Sequence, residues 1–247
     1  AMAYYDGDTL SETLAQAGLL PVEEALDYTL QLAEALAAAH DAGVVHRDVK
    51  PSNVIVTEAG EVKLVDFGLA KAAGETRLTE TGRPLGTTAY MGPERVEGEE
   101  AGPAADLWAL GVLLYEMLAG TRPFDGGRRA AILHSILHEA PSSLDEHRDD
   151  VPPALEAVVR RCLQKNPEER YASADALLAD LRAVESGGEL AAHEQSSAGA
   201  EGLPRVSRRW AFIAGAALLL TVGVVVGWVF WPDGGPPPVE ERAVAVL

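Results

Sequence analysis

Apolar positions recur every three or four residues over 23–40, where Ala25, Leu26, Leu30, Ala33, Leu36 and Ala37 fall at helical spacing. Pro21 precedes the run and Gly43 follows it, the usual punctuation of a helix start and stop. The period then changes. Residues 54–57 and 62–65 are short strand-like runs, and Glu58-Ala59-Gly60-Glu61 between them completes a hairpin signature. From 69 to 103 the chain is rich in Gly, Thr, Pro and charge and reads as a long loop. Helical spacing returns over 104–119, 128–139, 153–164 and 173–184. The pattern predicts a mainly α fold of α+β class over residues 1–184: helices around one small β-hairpin.

Beyond 184 the pattern changes character. Residues 185–204 have the composition of a flexible acidic linker. Residues 210–231 contain no charged side chain and are long enough to span a hydrocarbon core of about 30 Å. A buried core helix is the alternative, and the length speaks against it. Trp210, Trp228 and Trp231 sit at the ends, as interfacial aromatics do. Arg205, Arg208 and Arg209 flank the N-terminal side; Asp233, Glu240, Glu241 and Arg242 lie on the other. The positive-inside rule then places residues 1–209 in the cytoplasm and the tail outside the cell membrane, a single-pass arrangement. The expected organisation is a globular unit (1–184), a linker with a juxtamembrane Arg cluster (185–209), a transmembrane helix (210–231) and the start of an extracytoplasmic region (232–247). Gly223 and Gly227 form a G-x-x-x-G on the span, which permits a homodimer by close helix approach; a monomeric span that happens to contain glycines is the alternative.

Charge narrows the partners. The 247 residues carry 20 Lys plus Arg against 38 Asp plus Glu, a net charge of −18. Such a surface argues against nucleic-acid binding, which needs cations for phosphate contacts. The single cysteine, Cys162, excludes a disulfide framework and reads as a small core residue. His134 and His138 are one helical turn apart but lack a third ligand, so they read as a solvent-facing pair.

The chemistry is concentrated around the hairpin. Residues 46–53 read His46-Arg47-Asp48-Val49-Lys50-Pro51-Ser52-Asn53, and residues 66–68 read Asp66-Phe67-Gly68. Asn53 precedes the first strand and Asp66 follows the second, so antiparallel pairing brings the two within about 5 Å. An amide oxygen and a carboxylate at one spot suit Mg²⁺, which keeps waters and takes remaining ligands from substrate phosphates. Asp48, on the same loop, can accept a proton from an attacking hydroxyl. Lys50 supplies a point charge for a transferring phosphoryl group. These are the parts of a phosphoryl-transfer site.

His-Arg-Asp-x4-Asn, then Asp-Phe-Gly, then Gly92-Pro93-Glu94 resembles the signature order of the eukaryotic-type (Hanks-type) protein kinases, over about residues 1–184. The single span after the domain resembles a bacterial receptor-type serine/threonine kinase. The resemblance implies the large C-terminal lobe of that fold, ATP and Mg²⁺, and protein substrates phosphorylated on Ser or Thr. It implies Asp48 as catalytic base, Lys50 on the phosphoryl group, Thr87 bonded to both, and Asn53 and Asp66 as metal ligands. It further implies that Asp106 braces the catalytic loop, that Glu94 and Arg170 form a structural ion pair, and that His46, Phe67 and Gly68 frame the site. Arg47 would receive a phosphate carried by Thr79 or Thr81. Gly92 stands where the family usually has Ala or Ser, a change that reads as harmless. The first residues resemble the hinge between kinase lobes, with Met2, Ala3 and Tyr5 against the nucleotide.

The resemblance also calls for a Gly-rich loop and a strand lysine that hold the ATP phosphates. Residues 1–45 contain neither Lys nor Arg, and Gly7, Gly18 and Gly43 cannot form a G-x-G-x-x-G. The expectation is a fragment without the small lobe, itself inactive, from a longer enzyme. Two rivals remain: a non-catalytic kinase-like signalling scaffold, and a small-molecule phosphotransferase, against which Thr79, Thr81, Gly86-Thr87 and Pro93-Glu94 speak as parts of a peptide-binding segment.

Overall fold

A computed structural model describes residues 5–67 and 88–187. The chain opens with a two-residue strand, β1 (Asp8–Thr9), and a short helix, α1 (Leu10–Ala17). A capping box starts α1: Thr9 N–H donates to the Glu12 carboxylate at 2.8 Å, and Glu12 N–H donates to Thr9 Oγ1 at 3.3 Å. The long helix α2 (Val22–Asp41) buries Leu26, Leu30, Ala33 and Leu36 on one face. The hairpin follows as β2 (Val54–Val56) and β3 (Val62–Leu64). Pairing is antiparallel in the order β1-β2-β3, with Thr9 opposite Ile55 and Ile55 opposite Lys63. Gln31 of α2 clamps the distal end of the hairpin, donating to Gly60 O at 3.1 Å and accepting from Val62 N–H at 2.8 Å.

The second half is helical: α3 (Pro93–Glu97), α4 (Pro103–Ala119), α5 (Arg129–His138), α6 (Pro153–Cys162) and α7 (Ala174–Glu185). Helix α4 is buried at every position except Pro103, Ala104 and Glu116, so it is the axis of the core. A helix apolar all round has to be enclosed by others. Here α2 and α6 pack on it, and α7 packs on α2 and α6. At Gly111 the α4–α6 approach is so close that a Cβ would lie 2.4 Å from Cys162 Cβ. Trp108, Leu107, Leu110 and Met117 of the same helix are fully or almost fully buried. Cys162 is also buried.

The predicted helices and hairpin are present, with ends within two residues of those expected. Three elements differ. β1 and α1 were not anticipated, so the sheet has three strands where a lone hairpin was expected. α3 interrupts the stretch 69–103 that reads as loop. Among the described residues no helix is long and apolar enough to cross a membrane. The span expected over 210–231, the Gly223/Gly227 ridge and most of the 185–209 linker lie outside the described residues.

Candidate active site

The loop carrying the candidate chemistry hangs from the first turn of α4. Asp106, 1% exposed, accepts three hydrogen bonds: from Arg47 N–H at 2.7 Å, His46 N–H at 2.8 Å and His40 Nε2 at 2.9 Å. Bonds to an ionised acceptor are about twice as strong as neutral ones. They hold a costly conformation, because Arg47 lies at φ +68°, a left-handed region that costs a non-glycine residue roughly 1–2 kcal/mol. Its carbonyl accepts from Arg95 Nη1 at 2.5 Å.

His46 ties this loop to the hairpin. Its ring is fully buried. Asp48 N–H donates to Nδ1 at 3.2 Å, so Nε2 carries the proton and donates to Val65 O at 2.9 Å. Val65 N–H in turn donates to Asn53 O at 2.9 Å, extending the β2–β3 ladder by one pair. Asp66 is the next residue, exposed and at φ +64°. The Phe67 ring stands edge-on to His46 with centroids 4.5 Å apart.

Asp48, Lys50 and Asn53 converge. Lys50 Nζ lies 2.5 Å from Asp48 Oδ2, and Asn53 Nδ2 donates to Asp48 O at 2.8 Å and to Oδ2 at 3.1 Å. Asn53 is 6% exposed, whereas the Asp48 side chain is 37% exposed, so the amide is a fixture and the carboxylate faces outward. With its nitrogen committed to Asp48, Asn53 has Oδ1 left as the atom for a cation. Among the described residues no three His, Cys, Asp or Glu side chains form a complete protein cage for a metal. An amide oxygen and one carboxylate fit Mg²⁺ held partly by phosphate, and do not fit a structural zinc.

Beside Lys50 runs a groove of about 440 Å³ whose walls include Leu14 and Gly18 of the α1 end, Ser52, Tyr90 and Glu116. Tyr90 OH donates to Glu116 Oε2 at 2.5 Å. Burial raises the Glu116 carboxyl above its usual range, while Tyr90 and Arg122 pull it back. Helix α3 is anchored from the opposite side of the core. Glu94 and Arg170 form a buried two-pronged ion pair, at 3.0 and 2.8 Å, and the other Arg170 donors reach Ala104 O, Gln164 O and Lys165 O. A Cβ at Gly92 would lie 2.5 Å from Glu94 Oε1, so glycine there gives the Glu94 carboxylate its place. Under Arg170 the Trp108 and Phe124 rings stack at 5.4 Å, and Lys165 Nζ sits 3.9 Å from the Phe124 centroid. Burial, then the Arg170 cation, pull Lys165 down to about 8.

Of the residues singled out from sequence, His46, Arg47, Asp48, Lys50, Asn53, Asp66, Phe67 and Asp106 come together, and Glu94 and Arg170 pair. The Arg47 guanidinium lies 3.7 Å from exposed Glu100. Tyr5 is 40% exposed. Met2, Ala3, Gly68, Thr79, Thr81 and Thr87 lie outside the described residues. His134 and His138 are exposed neighbours with ring centroids 4.9 Å apart. Sequence reasoning missed His40, Arg95, Glu116 and Lys165. Each acts across 26 to 66 positions, and only the helical setting of His40 and Glu116 was visible in the chain.

Residues 1–181 match the family described as the protein kinase domain. Serine/threonine-protein kinase PknL of Mycobacterium tuberculosis is 40% identical over 183 residues, 74% of this chain and 46% of the relative. PknA of the same species is 39% identical over 186 residues, 75% of this chain and 42% of the relative. A probable serine/threonine-protein kinase of Streptomyces coelicolor is 38% identical over 188 residues, 75% of this chain and 28% of the relative. The chain thus spans less than half the length of these relatives.

Proposed function

Because this chain belongs to the protein kinase domain family, we propose that it supplies the phosphotransfer machinery of a bacterial Hanks-type serine/threonine protein kinase. The observation that carries the reading is the Asp48–Lys50–Asn53 cluster, held 2.5–3.1 Å apart on a loop tied to the hairpin by His46. The Asp48 carboxylate orients a substrate Ser or Thr hydroxyl and accepts its proton as the oxygen attacks the γ-phosphorus of ATP. The bond to the bridging oxygen breaks, ADP leaves, and the proton passes from Asp48 to solvent. Lys50 Nζ, now against Asp48, stabilises charge on the transferring group. Asn53 Oδ1 and Asp66 would hold Mg²⁺, which neutralises phosphate charge when bound. Substrate polypeptide lies along the groove between α1 and Tyr90, with its hydroxyl beside Lys50. Thr87, Met2, Ala3 and Tyr5 complete the contacts by resemblance, and phosphate on Thr79 or Thr81 pairs with Arg47.

The Gly-rich loop and strand lysine expected of the family are not among these residues, so activity is proposed for the gene product that carries this lobe. We place its lobe in the cytoplasm before a single membrane span at 210–231, supported by the uncharged run and the Arg205/Arg208/Arg209 cluster. Incubating the gene product with radiolabelled ATP, Mg²⁺ and a generic protein acceptor tests the chemistry. Label should appear on Ser or Thr, and Asp48→Asn and Asp66→Asn should abolish it while the fold persists. Undiminished transfer in Asp66→Asn would overturn the site. Reporter fusions near Ser186 and after Leu247 test topology: the first should be active inside the cell and the second outside, and the reverse pattern would overturn the single span.

A further inference from the structure

Asp48 leaves the chain through a peptide unit that is gripped at both ends. This peptide joins Arg47 to Asp48. Its N–H donates to His46 Nδ1 at 3.2 Å, and its C=O accepts from Arg95 Nη1 at 2.5 Å. The residue before it, Arg47, sits at φ +68°, where an arginine backbone does not rest unaided. Asp106 holds the two preceding amides, His46 N–H at 2.8 Å and Arg47 N–H at 2.7 Å, and does not reach this peptide. Without a partner on the Arg47 carbonyl, only the 3.2 Å bond to His46 restrains this peptide from rotating and taking the Asp48 carboxylate with it. Holding the carbonyl fixes the direction in which Asp48 points.

The origin of the holding group adds meaning. Arg95 belongs to α3, one residue after Glu94, which is locked on buried Arg170. Arg95 shares a small crevice with Arg47, Asp48, Tyr90, Met91 and Asp106, and its Nη1 reaches the Arg47 carbonyl there. Tyr90 is also a wall of the substrate groove. A single guanidinium therefore joins α3, anchored by its buried ion pair, to the peptide that aims the base.

We propose that Arg95 is a positioning residue for phosphotransfer, which fixes the Arg47–Asp48 peptide and couples α3 to the aim of Asp48. The proposal rests on the phosphotransfer reading above. Arg95→Met keeps the stem and removes the donors; Arg95→Lys keeps a cation that can reach a carbonyl. In the gene product, Arg95→Met should lower kcat by roughly 10- to 100-fold, the scale of an ångström-level misplacement of a catalytic group. KM for ATP should stay within about two-fold, because the nucleotide site is untouched. Arg95→Lys should recover most of kcat. In the 247-residue chain, amide hydrogen exchange over residues 46–48 should quicken by about tenfold in Arg95→Met, with α2 and α4 unchanged. Unaltered exchange at 46–48, or a kcat equal to wild type, overturns the proposal. So does exchange that rises equally everywhere with no rescue by Lys, which marks a merely structural role. A wild-type protein that transfers no phosphate yet loses local protection in Arg95→Met would refute the phosphotransfer reading while leaving the clamp in place.

Discussion

Neutralising Glu94 should damage the fold more than its small size suggests. Arg170 is 2% exposed and Glu94 6% exposed, so water cannot take over from a lost partner. Glu94→Gln keeps the shape, removes the charge and turns an amide N–H₂ toward one guanidinium nitrogen. Neutralising one member of a buried pair costs about 3–5 kcal/mol, because the other charge is left uncompensated. Arg170→Met should cost more. It strands the Glu94 carboxylate and also the carbonyls of Ala104, Gln164 and Lys165, which Arg170 meets at 3.0, 2.8 and 3.1 Å. Each buried carbonyl left without a donor adds about 1–3 kcal/mol. Against a typical total of about 5–15 kcal/mol, Arg170→Met approaches complete unfolding. Thermal and urea melts followed by far-ultraviolet circular dichroism give the measurement. At about 2–4 °C per kcal/mol, Glu94→Gln should lower Tm by about 6–20 °C. A loss below about 1 kcal/mol for Glu94→Gln, or a milder effect for Arg170→Met, would refute the view that this pair seats α3.

Gly111→Ala sets helix propensity against packing. Propensity alone favours Ala by about 1 kcal/mol, but a Cβ 2.4 Å from Cys162 Cβ should reverse the sign and cost about 1–3 kcal/mol in urea unfolding. A stabilised variant would show that α4 and α6 are not packed so closely. Lys165 holds its proton less tightly folded, at about 8, than unfolded, at about 10.4. The penalty is full below pH 8 and fades as pH rises toward the unfolded value, so stability rises across that window. Lys165→Met should therefore compare better with wild type at pH 7 than at pH 10, and a pH-independent difference in Tm would contradict this. Burial pushes the lone Cys162 thiol up to about 12, so a thiol reagent should label the native chain only as fast as it opens; immediate labelling at neutral pH would place Cys162 at the surface.

Much of this was legible where cause and effect lie close in the chain. Helices α2 and α5 to α7 announce themselves because one-sided burial imposes a 3.6-residue period on each, and α4, buried almost all round, shows as a long apolar run instead. The hairpin does so through its β-branched runs. Asn53 and Asp66 could be brought together on paper because strand pairing fixes the neighbours of paired residues. Other features were not legible for physical reasons. Helix α3 is five residues long, too short to show a period, and stands because Glu94 reaches a partner 76 positions away. The β1–α1 start did carry a signal, Thr9-Leu10-Ser11-Glu12, but a capping box is four residues and β1 only two. The Arg95–Arg47 contact spans 48 positions and has no local signature.

The grip of Asp106 has a consequence for inheritance. It holds main-chain N–H groups at positions 46 and 47, and every amino acid except proline supplies one. The suspension of the loop is thus indifferent to which side chains it presents at its exposed edge. Asp48 and Lys50 stand at that edge and engage chiefly each other and Asn53. A descendant that replaced both would forfeit the proposed reaction yet keep the loop in its place, the groove beside it and the helical core beneath. Chemistry and shape can be lost on separate occasions in this lobe, and a silent copy would still offer other proteins the same surface to recognise.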